Sequence, residues 1–154
     1  MGKGPIEIKH VTPGLRPGLE GLFSALRSAG DEKWFHPHPL TCEDAARISD
    51  YRGEDLYYVL AEGDKAIAYG LLRGWDEGFL IPSLGIAVSP EFRGLGLGRA
   101  FMCFLHTAAR LKGAKAIRLK VHMDNAIALQ LYRSLGYRFV EQDQDQLVGH
   151  LVIE

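Results

Sequence analysis

This sequence has little of what marks a specialised chain. Cysteine is scarce: Cys42 and Cys103 are the only two in 154 residues, far apart and in no metal-binding or redox spacing. That speaks against a disulfide-stapled scaffold and for two ordinary thiols in a reducing compartment, with a Cys42–Cys103 bridge left open at this level. An excess of one charge is also missing. Eighteen Lys and Arg against 19 Asp and Glu leave a formal charge of −1, so nothing draws the whole chain to nucleic acid or to an acidic membrane, and only a local basic patch is allowed. The longest uncharged stretch, "GFLIPSLGIAVSP", is too short to span a bilayer and is broken by prolines. The N-terminal "MGKGPIEIKHVTPG" has no apolar core of a leader. These absences lead to the expectation of a cytoplasmic protein without a nucleic-acid or membrane partner. No repeat, linker or low-complexity tract interrupts residues 1–154, and that length suits one domain with a sizeable core.

What is present is periodic. "IEIKHV" alternates as a strand. Leu15, Leu19, Leu22, Phe23 and Leu26 form one stripe of a helix ending at Gly30, and Thr41 with Asp44 resembles a capping box opening a second helix. "EDLYYVLAEGDKAIAYGLLRGW" reads as a hairpin about "GDK", and "FLIPSLGIAV" as a largely apolar strand buried on both faces. A helix follows with Leu97, Phe101, Phe104, Leu105, Ala108 and Leu111 inward, stopped by Gly113. "AIRLKVH" is a strand, "AIALQLYRSLG" a helix, and "YRFVEQ" and "QLVGHLVIE" two closing strands. The order βααβββαβαββ predicts an α/β (α+β) fold, with about seven strands in one mixed sheet flanked by four helices.

The most informative stretch is "FRGLGLGRA", residues 92–100. Dinucleotide binding needs G-x-G-x-x-G, but Arg99 stands where the third glycine would fall, and no Lys-Ser/Thr pair follows to complete a P-loop. A nucleotide-binding module of Rossmann type is thereby disfavoured. What remains is a strand, a short turn and glycines leading into a long helix. Gly94, Gly96 and Gly98 let the chain bend and bare the first N–H groups of that helix. With the positive helix end and with Arg93 and Arg99, they form an anion site suited to a pyrophosphate. A flexible glycine turn with solvated arginines is the plain alternative.

"LGIAVSPEFRGLGLGRA" followed by "VHMDNAIALQLYRSLGYRF" resembles the GNAT superfamily of N-acetyltransferases. Arg93 to Gly98 matches its R-x-x-G-x-G acetyl-CoA loop, with Val88 at the usual distance upstream. Asn125, Tyr132 and the Gly136-Tyr137 pair match its second block. The resemblance is strong over residues 81–140 and weaker before them, where only the order of elements agrees. It implies acetyl-CoA as donor and no metal. Ile86, Ala87, Val88, Arg93, Gly94, Leu95, Gly96, Leu97, Gly98, Arg99 and Asn125 would then hold the donor. In this superfamily the fourth strand carries a bulge and splays from the fifth, with the pantetheine arm in the gap. There the Ile86 N–H would polarise the thioester carbonyl and Val88 would pair with the pantetheine amide. Tyr132 would be the general acid for the departing thiolate; from the residues alone it reads as an aromatic packed in the apolar stripe with Leu129 and Leu135. Asn125 is read as a helix cap, a contact to the coenzyme arm, or both.

An amine of lysine-like pKa is neutral only in roughly a few molecules per ten thousand at pH 7, so its proton must be taken. Some protein-acetylating relatives carry a glutamate where this chain has Lys120, which cannot copy that role; Glu77, His36, His38, His122 and Ser83 through a water are the candidates. "KWFHPHPL", with Trp34, Phe35, His36 and His38, reads as an acceptor wall, a stiff loop packed on the core, or a His-x-His metal pair without a third ligand. Arg118, Lys120 and His122 share one face of the fifth strand and could hold an anion on the acceptor, or simply face water. The expected reaction is acetyl transfer to a primary amine of a small molecule, such as an amino sugar or sugar nucleotide. The alternatives are a protein or peptide N-acetyltransferase and a non-catalytic acyl-CoA-binding domain. A homodimer is compatible with the resemblance.

Overall fold

The computed structural model describes residues 4–154; Met1 to Lys3, which open the stretch read above for a leader, lie outside the described residues. The strands are β1 (Ile6–His10), β2 (Leu56–Glu62), β3 (Lys65–Arg73), β4 (Ser83–Val88), β5 (Ala116–His122), β6 (Arg138–Asp143) and β7 (Gln146–Val152). The helices are α1 (Arg16–Ser28), α2 (Cys42–Ser49), α3 (Leu97–Leu111) and α4 (Ala126–Ser134). The expected order is the observed one. All seven strands join one sheet in the order β1-β2-β3-β4-β5-β7-β6. Every neighbouring pair is antiparallel except β4 and β5.

Local chemistry sets the boundaries. Thr41 Oγ1 accepts the Asp44 N–H at 3.1 Å and opens α2. This satisfies one of the orphan donors of its first turn. Beyond α1, Gly30 takes φ 76°, a left-handed conformation that glycine adopts without a Cβ clash.

The two faces of the sheet are covered differently. On one, Leu19, Leu22, Phe23 and Leu26 of α1 and Ala45 and Ile48 of α2 pack on Tyr57, Val59, Tyr69 and Leu71. On the other, Phe101, Met102 and Leu105 of α3 and Leu129 of α4 pack on Ile67, Leu72, Leu84, Ile117 and Leu119. A fully buried Phe or Leu in either layer contributes about 1.5–3 kcal/mol. No residue of β5, β6 or β7 belongs to the first layer. The sheet is therefore bare of helix there, and Arg118, Lys120 and His122 stand on that open side.

Three expectations are corrected. Leu111 is 84% exposed, because the inner face of α3 runs through Met102, His106 and Ala109, displaced around the helix from the stripe that includes Leu111. The apolar run before β4 is not strand: Phe79, Leu80 and Ile81 are exposed, and β4 begins only after Pro82, half-buried along most of its length. The β3–β4 register runs unbroken from Arg73↔Ser83 to Ala68↔Val88, so β4 carries no bulge. The register shifts fall elsewhere: Ile67 of β3 is extra between the partners of Leu60 and Ala61, and Val140 of β6 is extra between those of Gly149 and Val148.

Candidate active site

The site starts from a missing ladder. β4 and β5 share a single registered pair, Ser83↔Arg118, at their N-terminal ends. Beyond it they diverge. The Ser89 N–H donates to Ile67 O of β3, while Pro82 O accepts the Arg118 N–H of β5. Backbone direction alternates along a strand, so the polar groups of Ile86 and Val88 point away from β3 into the gap. Ala87, between them, turns its backbone to β3 and its side chain to the α1–α2 layer.

The gap leads to the N-terminus of α3. Gly94 and Gly96 take φ 77° and 85°, and a Cβ at either would meet nothing within 4 Å. These glycines serve conformation, not close packing. Gly98 lies inside the first helical turn, between Leu97 and Arg99. Among the described residues, none of the N–H groups from Gly94 through Leu95, Gly96, Leu97 and Gly98 to Arg99 donates to a protein acceptor. Six successive donors at a positive helix end thus face outward, the arrangement that binds an anion.

The two arginines of this loop are not free in the way the sequence suggested. Arg93 forms an ion pair with Asp31 and donates to Val88 O from Nε and Nη2 at 3.1 and 3.0 Å. Its guanidinium ties the glycine loop to the start of the α1–α2 connection and takes up the Val88 carbonyl. Arg99 donates to Ser134 Oγ of α4 at 2.6 Å. Beside it, Arg99, Ile127, Gln130, Leu131 and Ser134 line a shallow cleft of about 250 Å³.

On α4, Asn125 caps the helix by accepting the Ala128 N–H at 3.4 Å. Tyr132 is 9% exposed and packs among Leu129, Tyr137 and the α3 core. Burial pushes its phenol up to about 12. Its hydroxyl has no hydrogen-bond partner among the described residues, although the neighbouring Tyr137 hydroxyl meets His106 Nε2 at 2.8 Å.

The connection from α1 to α2 straddles the open face of the sheet. Pro37 lies on Gly85, where an added Cβ would sit 2.7 Å from Pro37 Cγ. Trp34 packs edge-on to His122 with ring centroids 5.4 Å apart, and His36 Nδ1 meets Gln146 Nε2 of β7. The two histidines of "HPH" part company. His38 is buried against Phe23, Phe35 and Tyr69. It meets the Tyr69 hydroxyl at 2.8 Å and Pro39 O at 2.7 Å, and burial holds its pKa below the usual value. It belongs to the core, and the two rings cannot share a metal.

Of the other base candidates, Glu77 is exposed on the β3–β4 connection, at the far end of β4 from the glycine loop. His122 has both ring nitrogens engaged, accepting the Asp124 N–H at 3.1 Å and facing Asp145 at 3.1 Å. His36 alone of the set is exposed on the wall itself. Lys120 is paired with Asp143 at 2.7 Å.

Sequence reading missed Asp31, Gln146 and Ser134. No local pattern marks them, since each meets its partner across 35 to 110 residues of chain.

Comparison with known proteins agrees with this geometry. A streptothricin acetyltransferase of Streptomyces lavendulae is 34% identical over 102 residues, 66% of this chain and 53% of that protein. The ribosomal protein bS18-alanine N-acetyltransferase of Escherichia coli is 34% identical over 83 residues, 53% of this chain and 54% of that one. The chain spans about half the length of these curated relatives. The structure of a PaiA N-acetyltransferase from Thermoplasma acidophilum in complex with coenzyme A superposes with a TM-score of 0.78 over 96% of this chain and 99% of that one, at 15% identity. The Acetyltransferase (GNAT) family model matches residues 22–137, from within α1 to the residue before β6, and the chain belongs to that family.

Proposed function

We propose that the chain transfers an acetyl group from acetyl-CoA to a primary amine of a small molecule by direct attack on the thioester. The observation that carries this reading is the β4–β5 gap, with the Ile86 backbone and the Val88 N–H free in it, leading to six N–H groups at the head of α3 that no described residue accepts. A pyrophosphate fits those donors, each charge-assisted bond worth about 1.5–3 kcal/mol net. An extended amide arm fits the strand edge, as in β-augmentation. In this reading the Ile86 N–H polarises the thioester carbonyl, and Val88 offers its N–H to the arm because its carbonyl is held by Arg93. Ala87 fixes the alternation. Gly94 to Arg99 hold the pyrophosphate, and Asn125 joins the arm while capping α4.

Tyr132 faces the departing sulfur. A phenol at about 12 is a weaker acid than a thiol near 8.5, so complete transfer from a resting Tyr132 is uphill. Its part is to donate a hydrogen bond to the sulfur as charge develops there. The C–S bond breaks as the C–N bond forms. The proton lost by the acetylated nitrogen balances the one gained by the thiolate, whether passed through the phenol or through His36 and water.

The test is thiol release from acetyl-CoA across amino sugars, polyamines, amino acids and peptides. Turnover with at least one amine is expected. Tight coenzyme binding without thiol release for any of them would leave a binding domain and overturn the catalytic reading.

A further inference from the structure

The cations of the open face are not equivalent. Lys120, His122 and His150 each meet a carboxylate of β6 or the β6–β7 turn: Asp143 at 2.7 Å, Asp145 at 3.1 Å and Glu141 at 3.4 Å. Arg118 and Arg73 meet none within ion-pair distance among the described residues. The register sets them side by side, since Arg73 of β3 pairs with Ser83 of β4, and Ser83 pairs with Arg118 of β5. Directly paired residues point to the same side of a sheet. That side is the α1–α2 side, because Leu72, Leu84, Ile117 and Leu119 point into the α3–α4 core. Two guanidiniums therefore flank one hydroxyl on three neighbouring strands, with Cα atoms of the outer pair about two strand spacings, ~10 Å, apart.

Both arginines are half-buried, as is Ser83, and the Ser83 hydroxyl has no hydrogen-bond partner among the described residues. Asp55, beside the end of β3, directs Oδ1 to the N–H groups of Gly74 and Trp75 at 2.9 Å. Asp143 feels the field of Arg118 but bonds Lys120. A half-buried guanidinium without a carboxylate is poorly compensated, and its planar fork matches the oxygens of a carboxylate or a phosphate. Ser83 is three residues before Ile86 on β4, about 10 Å along the strand, at the closed end of the gap where the acceptor side of the sheet opens.

We infer that the acceptor amine carries an oxyanion, a carboxylate or a phosphate, held by Arg73 and Arg118 about the Ser83 hydroxyl. This rests on the acetyl-transfer reading and names its substrate class. It also moves the anion contact away from Lys120, which Asp143 already neutralises.

The test uses acceptors matched except for the anion: an amino acid against its carboxamide, an amino-sugar phosphate against the free sugar, and a neutral tripeptide amide as the peptide arm. In one pair the anionic member should exceed its neutral twin by at least about 30-fold in kcat/KM, and which pair does so tells carboxylate from phosphate. Arg73→Gln and Arg118→Gln should each raise KM for that acceptor about tenfold or more, with KM for acetyl-CoA unchanged and circular-dichroism melts confirming the fold. Arg118→Lys should recover part of the loss. Equal use of neutral twins or of the peptide amide, or an unchanged KM in both variants, overturns the inference. If no amine releases thiol, the acetyl-transfer reading falls first. Calorimetry of the same anionic amines with CoA-loaded protein then decides separately: binding abolished in the double Gln variant supports the anion site, and binding equal to wild type or absent from wild type refutes it.

Discussion

Tyr132 shows how one side chain answers to two demands. Its ring fills the α3–α4 core beside Tyr137, at a centroid distance of 5.9 Å, while its hydroxyl is left without a partner among the described residues. Burial alone accounts for its raised pKa, and the phenol stays protonated across the whole neutral range. Tyr132→Phe keeps the ring and removes only the donor. A hydrogen bond to a developing thiolate is worth about 1.5–3 kcal/mol, so kcat should fall roughly 10- to 100-fold with KM for acetyl-CoA little changed. Steady-state kinetics check this, and wild-type kcat in the variant would remove Tyr132 from the mechanism. In the wild type, a loss of activity with rising pH between about 7 and 10 comes from another group, because a phenol at about 12 stays protonated there.

At the scale of elements, what matters is how each one ends. The N-cap of α3 is Gly96 at φ 85°, with no side chain to occupy the first-turn donors. An alanine there is held in a left-handed conformation costing roughly 1–2 kcal/mol. Gly96→Ala should therefore weaken CoA binding several-fold or more by calorimetry, as the loop shifts to relieve that strain, although a Cβ at this position meets no atom within 4 Å. α2 is the contrast, capped by Thr41. Thr41→Ala should cost about 1 kcal/mol and lower Tm by roughly 2–4 °C in a thermal melt of a chain this size, with CoA binding unchanged. Both ends were legible in the sequence, because glycine spacing and a capping box are local. The sidedness of α3 was not, since a helix with apolar residues around much of its circumference does not say which arc meets the sheet. Leu111 lies off the arc that does.

For the whole molecule, two buried histidines set the response to acid. Burial first, and Arg110 second, holds His106 below its ordinary value; burial does the same for His38 against the opposing pull of Pro39 O and Asp44. Folded, both resist protonation, whereas the unfolded chain takes up protons near pH 6.5. Their contribution is complete above that pH and is lost as pH falls from about 6.5 toward the lower folded values, by at most about 1.4 kcal/mol per pH unit for each. Urea midpoints should drop between pH 7.5 and 5.5, and His106→Gln should flatten the slope. Midpoints that do not move would show that the two rings titrate alike folded and unfolded. The order of elements was readable along the whole chain, and the glycine loop and the family from residues 81–140, because helix period, strand alternation and glycine placement act over a few neighbours. Tertiary structure alone decided that Arg93 is held by Asp31, that His36 and His38 part to wall and core, and that Arg73, Ser83 and Arg118 lie abreast. Those relations depend on strand register and loop closure between residues 10 to 110 positions apart, for which a one-dimensional pattern carries no local signal.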